Sequence, residues 1–176
     1  MTNPISESEA RKIFIENKDF IYKTVYLFTR SRAVADDITQ ETFIRAFKNY
    51  NSYDQSKPIR PWLYKIAINV ARNTVRSGKW KLVYGDIPET PVPSADNSLY
   101  QSEERKQLIE EIYKLSLKMR QVVILHYFNE LTIPEVADVL NIPVGTCKSR
   151  LNLALATLRK SMRSDQFLFK LDGGTL

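Results

Sequence analysis

Cysteine and histidine are almost missing from the chain: Cys147 and His126 are its only examples. A disulfide within the chain needs two thiols, so none forms. A zinc cage built on cysteine and histidine lacks its ligands, and no metal or cofactor is expected. Glycine is scarce as well, at five residues, and none of them builds a glycine-rich phosphate loop. With one histidine and one cysteine there is no catalytic constellation to assemble, so an enzyme is not expected. No uncharged run approaches the roughly 18 residues that span a bilayer. The opening MTNPISESE is acidic and polar, unlike a secretory signal. These absences leave the expectation of a soluble, cytoplasmic protein in a reducing compartment.

What is present is an ordinary globular composition: 176 residues, 43% hydrophobic and 26% charged. The length fits one domain or two small ones. Two halves of that size would each bury about 60% of their unfolded surface and be modestly stable alone. The formal charge is +6 and is unevenly placed. Residues 1–78 carry 13 basic and 8 acidic side chains, residues 79–100 carry 2 and 3, and residues 101–176 carry 11 and 9. Lys57 to Lys81 holds seven basic residues and no acid, and Val139 to Ser164 holds five and no acid. Two acid-free basic stretches fit two places that touch phosphate; for either alone, a solvated helix face is the simpler reading.

Helical periodicity dominates, and no sustained apolar–polar alternation marks strands. The expected fold class is all-α, two small helical domains joined by a flexible linker. Ser6 with Glu9 forms a capping box for a first helix running toward Thr29, with Asn17-Lys18-Asp19 as its expected break. A second helix is predicted over Val34–Asn49, and NSYDQSK at 51–57 reads as a loop. Pro58 and Pro61 suit the entry of a third helix, and Gly78 its stop. Residues 79–98 include three prolines and small polar residues and read as an extended linker. The division is therefore 1–78, linker 79–98, and 99–176, the last ending in the apolar, then glycine-rich tail QFLFKLDGGTL. In the second domain Leu108, Ile112 and Leu115 mark one helix, and Val122, Leu125 and Phe128 another.

The stretch LTIPEVADVLNIPVGTCKSRLNLALATLRK has the pattern of a helix-turn-helix. Thr132 with Glu135 is a capping box, and Val136, Ala137 and Leu140 give a short apolar face. Asn141 suits the left-handed residue that ends a helix, Ile142 buries in the turn, and Pro143 opens the next helix. There Cys147, Leu151, Ala154, Leu155 and Leu158 share one side, and Gly145, Thr146, Ser149, Arg150 and Asn152 fall elsewhere. Such a second helix enters a DNA major groove N-terminus first. Lys148 and Arg150 reach phosphates or guanine edges. Cys147 reads as a small buried apolar residue and His126 as structural.

In PIRPWLYKIAINVARNTVRSGK the buried stripe is predicted as Leu63, Ile66, Ala67, Val70, Ala71 and Thr74. The opposite face carries Lys65, Asn69, Arg72, Asn73 and Arg76, with Trp62 at its edge. Trp62 is either core packing, the preferred reading, or a stacking platform for melted DNA. In DDITQETFIRAF, Asp37, Gln40, Glu41 and Ile44 share an acidic face with one aliphatic. That face is either solvated or docks an arginine-rich partner helix.

Taken together, these motifs resemble the bacterial RNA polymerase sigma factors of the extracytoplasmic-function group. The resemblance covers nearly the whole chain apart from the linker and tail. DDITQETFIRAF looks like the family's polymerase-binding helix, WLYKIAINVARNTVR like its minus-ten helix, and LTIPEVADVLNIPVGTCKSRL like its minus-thirty-five helix-turn-helix. The resemblance implies that Asp37, Gln40, Glu41 and Ile44 dock on the clamp helices of the polymerase largest subunit. It implies that Arg60, Trp62, Lys65, Asn69, Arg72, Asn73 and Arg76 capture the minus-ten strand. It further implies that Thr146, Lys148, Ser149, Arg150, Asn152 and Leu153 serve the minus-thirty-five duplex, and that an anti-sigma factor is a partner. The chain departs from the family pattern at Ile59, where phenylalanine is frequent, and at Asn73, where aspartate is common. It departs again at Leu153, Leu155 and Ala156, where basic residues are usual. Leu153 either meets a thymine methyl or packs on a partner. Two rivals remain open at this point: a stand-alone helix-turn-helix regulator, and a protein-interaction module whose basic faces are only solvated.

Overall fold

A computed structural model describes residues 5–76 and 103–162 of the chain. The linker 79–98, the tail after Met162, Gly78 and the Arg76 side chain lie outside the described residues. Among the described residues there are helices and turns and no strand. They gather into two compact units, the first drawn mainly from residues up to 76 and the second mainly from residues from 103 on.

The first unit holds α1 (Glu7–Thr29), α2 (Arg32–Lys48) and α3 (Ile59–Arg76). Helix α1 starts where Ser6 Oγ accepts from the Glu9 amide at 3.2 Å, with Glu7 and Glu9 at the positive end of the helix dipole. It runs through Asn17 without the expected break. The reason is local: Asn17 is buried, and its carboxamide donates to the Ile13 carbonyl at 2.8 Å, so it bonds the helix that contains it instead of ending it. Arg30, in the left-handed conformation, ends α1, its amide donating to the Tyr26 carbonyl at 2.8 Å. Ser31 then caps α2, which therefore begins slightly earlier than predicted.

Helices α1 and α2 pack together, and α3 packs against both. That double contact corrects the predicted stripe of α3. Leu63, Ala67, Val70 and Ala71 are buried as expected, but Ile66 and Thr74 are only half-buried. Tyr64 and Ile68 are buried in their place. A helix lodged against two neighbours buries a wider face than a single i, i+4 row. With Ile21, Val25, Val34 and Ile38 these side chains form the core of the unit.

The second unit holds α4 (Glu103–Lys114), α5 (Leu117–Val123), α6 (Ile133–Leu140) and α7 (Val144–Ser161). Helix α5 widens into a π-helical turn, Ile124–Phe128. The Asn129 amide bonds back to the Ile124 carbonyl at 3.1 Å, and Glu130 turns left-handed to leave it. His126 Nδ1 lies 2.7 Å from the Leu131 carbonyl, so the histidine braces this turn, the structural role expected of it. The Arg120 guanidinium donates to the Leu115 carbonyl at 3.1 Å, tying α5 to the end of α4. Of the predicted row Val122, Leu125 and Phe128, Val122 and Leu125 are fully buried and Phe128 is half-buried.

The helix-turn-helix is present. Both halves of its capping box form: the Thr132 amide donates to Glu135 Oε2 at 2.8 Å, and the Glu135 amide to Thr132 Oγ1 at 3.5 Å. Asn141 has φ 53, the left-handed turn residue that the sequence predicted. Replacing it by glycine is expected to leave stability nearly unchanged. Asn141→Val should cost about 1–2 kcal/mol, because a β-branched side chain clashes in that region. Denaturant midpoints of the two variants check this.

Candidate functional site

Three surfaces carry the predicted residues, two on the first unit and one on the second. On α2, Asp37, Gln40 and Ile44 are exposed, Ile44 at 48%. Glu41 is half-buried and holds Arg45 at 2.6 Å, one turn on. A solvent-facing pair of this kind contributes a few tenths of a kcal/mol, so an incoming cation can displace Arg45. Asp36 is exposed too and extends the acidic face, a contribution the i, i+3, i+4 pattern had passed over. Beside Ile44, Phe43 is buried, with Phe14 of α1 edge-on to it at 5.0 Å. Phe14 is itself 39% exposed, so the side of α2 that carries Phe43 has an aromatic surface beside it.

On the predicted polar face of α3, Asn69 and Asn73 are exposed and Lys65 and Arg72 are half-buried. Trp62 is half-buried. Tyr53 tilts against it at 5.0 Å, and Tyr50 meets it edge-on at 6.4 Å. Trp62 thus packs partly into the fold while one side stays near the polar face. The two tyrosines come from the connection between α2 and α3, which the sequence had marked only as turn-forming. Tyr50 is held from the other side: its hydroxyl donates to Glu9 Oε1 at 2.7 Å. Burial and that bond push the Tyr50 hydroxyl up to about 12. Tyr53 donates its hydroxyl to the Lys57 carbonyl. Asp54 accepts from the Ser56 hydroxyl and amide, which hold its carboxyl below the usual range. This connection is therefore internally bonded.

Arg60 lies at the start of α3 and is exposed. Its guanidinium sits 3.6 Å from the centre of the Phe20 ring, and its Nε is 3.4 Å from Asn17 Oδ1. The sequence could not give those α1 partners, which only tertiary packing brings near.

On α7, Lys148, Ser149, Asn152 and Leu153 are exposed, and Thr146 and Arg150 are half-buried. Leu153 is 54% exposed, away from the core row of Cys147, Leu151, Ala154 and Leu158. Leu155, placed on that row from sequence, is half-buried. The Cys147 thiol is fully buried, and burial raises its pKa, so it is a packing residue. A Cβ at Gly145 would meet nothing within 4 Å, so the start of α7 is open to a close-approaching surface. Among the described residues no cluster of metal-ligating side chains occurs, and no helix is long and apolar enough to cross a membrane.

The sigma-70 region 2 family model matches residues 13–81, and the sigma-70 region 4 model matches residues 105–158. The chain is 34% identical to the ECF RNA polymerase sigma factor SigW of Bacillus subtilis, over 83% of this chain and 84% of that protein. It is 30% identical to SigM of the same organism, over 79% of this chain and 86% of that protein. Its fold is similar to that of the sigma factor RpoE from Bartonella quintana, solved in complex with the anti-sigma factor NepR. The TM-score is 0.73 and the identity 19%, over 92% of this chain and 97% of that one.

Proposed function

The chain belongs to the extracytoplasmic-function group of RNA polymerase sigma factors and directs transcription initiation, and from that premise we propose how its surfaces divide the work. Residues 1–78 form sigma domain two, residues 79–98 the linker, and residues 99–176 sigma domain four with its tail. The protein acts in the cytoplasm and has no catalysis of its own. Its role is to bring polymerase to a promoter and help open it.

The exposed face Asp37, Gln40, Glu41 and Ile44 docks on the clamp helices of the largest polymerase subunit. Acid around an aliphatic knob, with aromatic surface beside it, suits a basic amphipathic helix. Lys65, Asn69, Arg72, Asn73 and Arg76, with Arg60 and Trp62, take the minus-ten strand. Asparagines among cations offer base and backbone contacts together, and Trp62 offers a ring to stack on. Thr146, Lys148, Ser149, Arg150, Asn152 and Leu153 face the minus-thirty-five duplex. An anti-sigma factor is the regulatory partner, as with the RpoE–NepR pair.

The observation that supports this reading is that each face presents exposed residues beside a buried core: Asp37, Gln40 and Ile44 on α2, Asn69 and Asn73 on α3, and Lys148, Ser149, Asn152 and Leu153 on α7. The alternative, a stand-alone helix-turn-helix regulator, gives no reason for the acidic face of α2. Transcription in vitro with core polymerase on genomic fragments, followed by start-site mapping, tests the proposal. Initiation that needs both protein and core, at sites sharing two spaced elements, is the expected result. Specific duplex binding by the chain alone, without stimulated initiation, would favour the regulator.

Lys148→Ala should weaken holoenzyme binding across promoter sequences alike and lower the slope of log K against log salt by about one. An unchanged slope in a salt titration would mark Lys148 as merely solvated.

A further inference from the structure

The outward strip of α7 has little charge. Gly145, Ser149, Asn152 and Leu153 follow one another at i, i+4, i+7 and i+8, and exposed Ala156 continues the strip. Lys148 and Arg150 lie to either side of it. Ser149 donates its hydroxyl proton to the Gly145 carbonyl at 2.8 Å, within its own helix. The chemistry left at the centre is the Asn152 carboxamide and the Leu153 isobutyl group. Recognition of guanine in the major groove favours a two-pronged cation, and the centre of the strip has none. An asparagine carboxamide matches the donor and acceptor of adenine, and an apolar side chain matches the thymine methyl.

We infer that α7 selects an A·T step in the minus-thirty-five element, with Leu153 against a thymine methyl and Asn152 on a neighbouring adenine. This rests on the assignment of α7 to that element and names the bases it takes. An exposed leucine in open water gains nothing from its position. Against a methyl group in the groove it removes apolar surface from water on both sides. Gly145, where a Cβ would meet nothing within 4 Å, and exposed Ala156 are small on the same strip and allow the approach that a short leucine needs.

The test uses polymerase holoenzyme and a promoter found by start-site mapping. Uracil is placed for thymine at each minus-thirty-five position in turn, which deletes only the methyl group. At one position the parent should lose about tenfold in affinity. Leu153→Met should keep that sensitivity, because it keeps an apolar reach. Leu153→Ala should bind the thymine and uracil promoters within about twofold of each other. Both variants should unfold at the parent's temperature, since the side chain is exposed. An element that matters yet tolerates uracil throughout overturns the inference alone. So does a Leu153→Ala loss that is equal on all promoters, as a contact to a protein partner would give. A scrambled element that binds as well as the parent overturns the assignment of α7 and the inference with it.

Discussion

Reversing Asp37 and Glu41 together to lysine is expected to abolish association with core polymerase while leaving both helical units folded. The folding half follows from exposure. Asp37 is exposed, and Glu41 is half-buried in a surface pair with Arg45. Losing that pair costs about 0.3–0.5 kcal/mol. The binding half follows from charge sign. An acidic face on a basic partner gains from complementarity, and like charges set against each other across an interface cost several kcal/mol. Two reversals should lower affinity by about 100-fold or more, since each 1.4 kcal/mol is a factor of ten. Co-purification with core polymerase should fall to background, and initiation should fall with it. Helical circular dichroism and the unfolding midpoint should stay at the parent's values. Unchanged co-purification would remove α2 from the docking surface. Ile44→Ala, by contrast, should weaken binding without abolishing it, because it removes apolar contact and introduces no repulsion.

The second large effect is one of stability. Leu158 is 1% exposed in the core of the second unit, where α7 packs on α4 and α5. Leu158→Ala should cost about 2–5 kcal/mol through lost burial and the cavity left behind. A unit of this length has only about 3–9 kcal/mol in all. The variant should therefore hold the second unit near its folding midpoint and leave the first intact. Denaturant unfolding of the parent should show two transitions or one broadened one, and in the variant only the later-chain unit should move. Initiation that depends on the minus-thirty-five element should fall steeply. Equal displacement of all probes would mean that the two units unfold as one.

The helix-turn-helix was readable because its signals are local. Thr132, Glu135, Asn141 and Pro143 each act on backbone groups within a turn of themselves, so their types and spacing fix the motif before any packing is known. The wider buried face of α3 was not readable in the same way. Tyr64 and Ile68 are buried because two helices press on α3, and one helix's periodicity does not record its number of neighbours. Asn17 misled for a related reason. In isolation asparagine disfavours a helix, but a buried carboxamide with a carbonyl in reach is satisfied. The faces proposed for docking and for DNA were legible as patterns of residue type. Their settings, Arg60 on Phe20 and Trp62 against Tyr50 and Tyr53, depend on which helices and connections meet in space.

Cys147 has a practical consequence. It is the chain's one thiol and has no exposure in the folded state. A thiol-selective alkylating reagent therefore reaches it only when α7 lifts from its unit, with no second thiol to blur the signal. The rate of modification under native conditions is a direct clock for that opening. Run with and without promoter DNA and core polymerase, it gives the strength with which each partner holds α7 closed.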